Sequence, residues 1–225
     1  MRIFVCLSIA AMLTVGQSAW SATTATQSGD SAPVDPIATR RSVPEQATPR
    51  TPHYPKATTG WNVPLGQRDR TTGTVINRFI IHHTTNTGDE SPYFKRRNER
   101  SSCPTWYVTS AGEVIEFIHP VKRPSSTGAA NNSSVAVETQ NTSRAPDWGI
   151  SEQSHEALAQ MAAWLSQQKN FGPYPVDIKL DRTHIIGHNE AGVNATACPG
   201  PSMRMDWIVE RARQIVAEQS AATPR

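Results

Sequence analysis

The sequence predicts an α/β domain: a central mixed β-sheet flanked by helices, within one folded unit. Three observations carry this. Short β-branched, apolar runs recur along the chain. Stretches with a helical apolar period are interleaved with them. No internal repeat divides the 225 residues, so the elements share one core.

The elements follow in chain order. V-I-N-R-F-I-I-H-H, residues 75–83, is an apolar run ending on two histidines, and reads as a strand buried on both faces. Residues 89–100 are polar, with Tyr93 and Phe94 on one side, and suit a short surface helix. T-W-Y-V-T-S-A-G-E-V-I-E-F-I, residues 105–118, reads as a hairpin around Ser110-Ala111-Gly112. S-V-A-V-E-T-Q, residues 134–140, alternates as another strand. Ser151 or Ser154 caps a helix running to about Asn170, with Leu158, Met161, Ala162 and Leu165 on one stripe. Gly172-Pro173 ends it. T-H-I-I-G-H, residues 183–188, is a short strand. Ser202 opens a last helix with Ile208, Ala212, Ile215 and Val216 on one side.

The ends differ from this domain. Residues 1–22 combine Arg2, a short apolar run and the small residues S-A-W-S-A, the pattern of a secretory signal. The run is too short to span a bilayer, so the mature chain is expected to have no membrane span. Residues 23–59 are rich in Thr, Pro, Ser and Ala and read as a disordered linker. The domain is expected over 60–218, with a flexible tail at 219–225. A formal net charge of +3 is too mild to argue for nucleic acid. The signal implies secretion to the periplasm, cell wall or medium.

There are three cysteines, and Cys6 leaves with the signal. Cys103 and Cys198 remain in an oxidising compartment. From the residues alone, Cys198 is half of a disulfide, a nucleophile or a metal ligand. Among seven histidines, His53, His119 and His155 read as surface or structural. His82, His83 and His188 are different, because each stands at the end of an apolar strand. Gly187 removes a side chain beside His188. Two imidazoles and one thiolate leave a tetrahedral zinc with one open position, the mark of a catalytic centre. Such a site needs a base, and Glu138 lies on an otherwise apolar strand, where a carboxylate is costly to bury without a partner or a task. Glu116 lies in the hairpin with either face open to it. Glu190, two residues after His188, suits orienting the loop or bonding a ligand histidine.

F-I-I-H-H-T-T, S-V-A-V-E-T-Q-N, I-I-G-H-N-E and C-P-G-P, in that order, resemble the zinc-dependent N-acetylmuramoyl-L-alanine amidases of the amidase-2 and peptidoglycan recognition protein superfamily. The resemblance covers residues 75–216. It implies a groove with one zinc ion at its floor, held by His82, His188 and Cys198. It also implies cleavage of the amide between N-acetylmuramic acid and L-alanine in peptidoglycan or muropeptides, by a monomer. Glu138 matches the general base, and Thr196 matches a position that bonds the oxyanion.

The chain departs from the family at two places. Pro104 stands where recognition-protein amidases carry a tyrosine, so Glu138 takes the base role alone. S-S-T-G-A-A-N-N, residues 125–132, replaces the usual Trp-His-Ala-Gly, with Asn131 expected to line the groove. Two other readings stand beside the zinc amidase. One is a non-catalytic peptidoglycan-binding module. The other is a cysteine amidase using Cys198 and His188.

Overall fold

The computed structural model describes residues 51–60, 68–95 and 102–222. The signal, most of the linker, the end of the tail and the second half of the 89–100 helix lie outside the described residues. A six-stranded mixed sheet forms the centre, in the order β1 (Ala57–Thr59), β5 (Val114–Glu116), β4 (Trp106–Val108), β7 (Ser134–Thr139), β3 (Arg78–Ile81) and β10 (Ile185–Gly187). Only β4 and β5 pair antiparallel, as the predicted hairpin; the other four pairings are parallel. Two small antiparallel pairs sit outside it: β2 (Arg68–Asp69) with β6 (Lys122–Arg123), and β8 (Asn170–Phe171) with β9 (Tyr174–Pro175).

Alternation along the strands sorts the side chains into two layers. Phe79 and Ile81 of β3, Val135 and Val137 of β7, Trp106 of β4 and Ile185 of β10 join one core cluster. Its other half comes from α2 (Glu152–Leu165) and α3 (Met205–Ala222). Leu158, Met161, Ala162 and Leu165 form the stripe expected of α2, and all four are fully buried. Ile208, Ala212 and Ile215 of α3 face them. The opposite face of the sheet carries Ile80 and Ile186 in one cluster, and Tyr107 in another with Phe94 of α1 (Ser91–Lys95).

Local signals set several boundaries. The Ser151 hydroxyl accepts the Ser154 N–H at 3.0 Å, a helix cap worth about 1 kcal/mol. α2 stops at Leu165 rather than near Asn170, because Asn170 and Phe171 turn into β8. α3 starts at Met205, not at Ser202, whose hydroxyl donates to the Asp147 carbonyl at 2.5 Å. α3 also continues to Ala222, into the stretch read as tail.

The largest departure is at the other end. Residues 54–59 fall in the stretch read as linker on composition, yet Tyr54 is buried and β1 pairs with β5. The cause is Glu116, a carboxylate with no exposure at all. It accepts Trp106 Nε1–H at 2.8 Å and the backbone N–H groups of His53 at 3.0 Å and Tyr54 at 3.3 Å. Composition does not show a backbone segment recruited by one buried acceptor. Among the described residues no helix is long and apolar enough to cross a membrane.

Candidate metal centre and active site

The strand register builds the site. Ile81 of β3 pairs with Gly187 of β10 on one side and Val137 of β7 on the other. One residue further along each strand come His82, His188 and Glu138. All three carry the parity of Ile80, Ile186 and Ala136, so all three leave the sheet on the face away from α2 and α3. His83 has the opposite parity and packs edge-to-face on Trp148, with ring centroids 5.0 Å apart. Parallel strands thus deliver two imidazoles and a carboxylate side by side at their C-terminal ends, where open α/β sheets place their ligands.

Cys198 comes from the loop that follows. His83 N–H points at its Sγ at 3.4 Å, and Asn189 N–H donates to its carbonyl at 2.8 Å. Gly187 is required for this approach: a Cβ there would lie 2.6 Å from Cδ of Pro199. The ligand atoms of His82, His188 and Cys198 all lie within 4.8 Å of one another. Among the described residues Cys103 and Cys198 are both free thiols, with Cys103 buried in the cluster of Phe94, Tyr107 and Phe117, away from Cys198.

Each imidazole has one nitrogen engaged. His82 Nε2 lies 2.9 Å from Thr127 Oγ1, and His188 Nε2 lies 3.0 Å from Asn194 Oδ1. That leaves both Nδ1 atoms for a metal. The electrostatics fit the same donor set. Burial, then the neighbouring His188 and His83, hold His82 down to about 3, so its imidazole is neutral, the form a metal ion requires. Burial pushes the Cys198 thiol up to about 12, with the nearby Glu138 adding to the rise and the His83 N–H opposing it. A thiol so placed is not a self-activated nucleophile. Two imidazoles and a buried thiol, their candidate ligand atoms grouped together, are a donor set that fits zinc.

Glu138 stands beside His82, its Oε1 3.9 Å from Nδ1. Its Oε2 is buried with no hydrogen-bond partner. Burial and then the charge of Glu90 raise the carboxyl to about 8. Glu138 also opens onto a groove of about 610 Å³, whose walls include Glu90, Tyr93 and Arg144.

The other expected residues divide. Thr196 is half-buried in the Cys198 loop; its Oγ1 accepts the Cys198 N–H at 3.2 Å, which leaves its hydroxyl proton for another acceptor. Asn131 does not reach the groove. It is buried, and its Oδ1 accepts the N–H groups of Ser126 at 3.1 Å and Thr127 at 2.8 Å. Glu190 orients the loop rather than a ligand: Oε2 accepts Gly187 N–H at 2.6 Å, and Arg182 pairs with it. His155 is buried between the Ser151 carbonyl and Arg204 N–H, a structural role. Thr127, Asn194 and Trp148 went unread in the sequence, since nothing in their local pattern announces a contact made across the fold.

Known proteins share this architecture. The chain overlays the N-acetylmuramoyl-L-alanine amidase LysC from Clostridium intestinale with a TM-score of 0.51 at 14% identity, covering 69% of this chain and 97% of that one. The hydrolase AmiA of Staphylococcus aureus, solved with its ligand, gives 0.53 at 16%, over 76% and 88%. A selenomethionine derivative of AmpD gives 0.53 at 14%, over 72% and 94%. At such identities these likenesses speak for the fold. No curated protein matches the chain. A protein-family model does, over residues 72–201, more than half of the sequence and all of the site. The chain belongs to the amidase-2 family, described as N-acetylmuramoyl-L-alanine amidase.

Proposed function

We propose that this protein is a secreted, monomeric, zinc-dependent amidase that hydrolyses the bond between N-acetylmuramic acid and L-alanine in peptidoglycan or muropeptides. The observation that carries the reading is the convergence of His82, His188 and Cys198 beside Glu138, whose Oε2 is buried without a partner. His82, His188 and Cys198 hold the ion. Zinc bound there supplies Lewis acidity, lowering the pKa of a water ligand and polarising the scissile carbonyl.

The chain's own groups do the rest. Glu138 takes the proton of the attacking water. Its Oε2 has no competing donor to displace. As the amide breaks, Glu138 returns the proton to the leaving amine of L-alanine. The Thr196 hydroxyl donates to the oxyanion that develops on the lactyl carbonyl. The groove over Glu138 receives the stem peptide.

Two alternatives are disfavoured on chemistry. A cysteine amidase needs a low thiol pKa, and burial drives Cys198 the other way. A purely binding module has no use for a carboxylate oxygen buried without a partner beside its ligand site. The test is mass spectrometry of purified peptidoglycan after incubation with the protein, with and without a chelator. Release of intact stem peptides beginning with L-alanine, lost on chelation and restored by zinc, is the expected result. Stem release that survives chelation and is abolished by iodoacetamide assigns the cysteine mechanism instead.

A further inference from the structure

Behind His82 lies a set of polar residues that the proposed chemistry does not use. Arg70 is 3% exposed, and among the described residues it has no carboxylate partner. Its guanidinium is given wholly to carbonyl oxygens. Nη1 donates to Asn131 at 3.1 Å and Asn132 at 2.5 Å, Nη2 to Ser134 at 2.8 Å and Pro120 at 3.1 Å, and Nε to Pro120 at 3.3 Å. These bonds fix the 3₁₀ turn Gly128–Ser133 against the start of β7. Burying a charged fork in this way is costly unless every donor is used.

The turn in turn fixes Thr127. Asn131 Oδ1 accepts the Thr127 N–H at 2.8 Å, locking the backbone just before the turn. Thr127 occupies the N-cap position, where a threonine hydroxyl ordinarily accepts a backbone N–H. Here it makes no such bond. The hydroxyl, 1% exposed, goes to His82 Nε2 at 2.9 Å, with Ser126 Oγ 3.2 Å away to take its proton.

We propose that Arg70, Asn131 and Thr127 form a positioning relay for His82. With Nε2–H donating to Thr127, the ring is held in one tautomer and one orientation, with the Nδ1 lone pair turned to the metal position. None of the three touches substrate. The relay gives a role to S-S-T-G-A-A-N-N, the stretch that departs from the family pattern. It rests on the metal-centre reading above.

The test is zinc affinity by chelator competition on the zinc-loaded full chain, paired with melting of the same chain after stripping. Thr127→Val keeps the shape and removes the acceptor. It is expected to weaken zinc binding by about 10–100-fold, and the stripped chain to melt lower than wild type, because the buried His82 Nε2–H loses its acceptor. Thr127→Ser is expected to restore affinity. Arg70→Lys, which keeps the charge but not the fork, is expected to weaken zinc binding in the same direction. Nitrogen-15 NMR of the stripped full chain should show His82 as the Nε2–H tautomer, and a mixture in Thr127→Val.

Wild-type zinc affinity in Thr127→Val, or no restoration by Thr127→Ser, overturns the relay. Weaker binding in Thr127→Val but not in Arg70→Lys removes Arg70 from it. A wild-type chain that takes up no zinc overturns the metal reading instead, and the NMR tautomer then decides the relay.

Discussion

His82 and Glu138 stand side by side across the β3–β7 pair, Nδ1 to Oε1 at 3.9 Å, because each is one residue past the register partners Ile81 and Val137. The proposed ligand and the proposed base are therefore spaced by the sheet itself, on rigid strands rather than loops. That relationship makes the proposed chemistry testable one residue at a time.

Glu138→Gln is close to isosteric and cannot take a proton. We expect kcat on muropeptide substrates to fall by about 10²–10⁴-fold, with zinc content unchanged. Full hydrolysis by this variant would remove Glu138 from the reaction.

The same carboxyl sets a pH dependence of stability in the metal-stripped chain. Its ordinary value of 4.5 is raised to about 8 on folding. The folded state then binds the proton more tightly than the unfolded state, so Glu138 costs stability as pH rises from 4.5 towards 8. Glu138→Gln is expected to raise the melting temperature of the stripped chain at pH 8, with little gain at pH 5. An equal gain at both values contradicts the shift.

Cys198→Ser replaces a thiolate with a poorer zinc ligand. Zinc affinity should fall by more than the roughly 10–100-fold expected of an outer partner. Activity should fall with metal occupancy, and elemental analysis of the purified variant reads this directly.

Gly187→Ala tests the packing between the two ligand segments. The added methyl would sit 2.6 Å from Pro199 Cδ and 2.6 Å from Asn189 Oδ1. Overpacking of this kind costs about 1–3 kcal/mol. A lower melting temperature together with easier zinc loss to chelators is expected; a lower melting temperature alone would mean that the Cys198 loop relaxes independently.

Glu116→Ala tests how the N-terminal segment is docked. It leaves Trp106 Nε1–H and the His53 and Tyr54 amides without their acceptor. A buried donor left unpaired costs about 1–3 kcal/mol. Hydrogen exchange should rise over residues 53–60 before the rest of the sheet loosens.

Much of this molecule was legible in its residues. Runs of β-branched side chains marked β3, β7 and β10, and the 3.6-residue stripe marked α2, because burial against one core imposes those periods. The histidines at strand ends and the C-P-G-P loop pointed to the three side chains that the fold brings together. What stayed hidden was long-range pairing of polar groups. Glu116 looked able to face solvent, and Asn131 looked like a groove residue. Each is instead an acceptor for backbone N–H groups that only the fold brings near it.

The sequence by itself determined the donor types, their order and the strands that carry them, since local period and residue chemistry are properties of short stretches. The tertiary structure decided which partner each donor meets. It put His82, Glu138 and His188 on one face through a register that pairs residues more than fifty positions apart. It turned His83 away, swung Cys198 in over Gly187, and drew residues 54–59 out of a disordered-looking stretch onto the sheet. Those outcomes depend on which strands lie side by side, and that follows from the joint packing of the whole core.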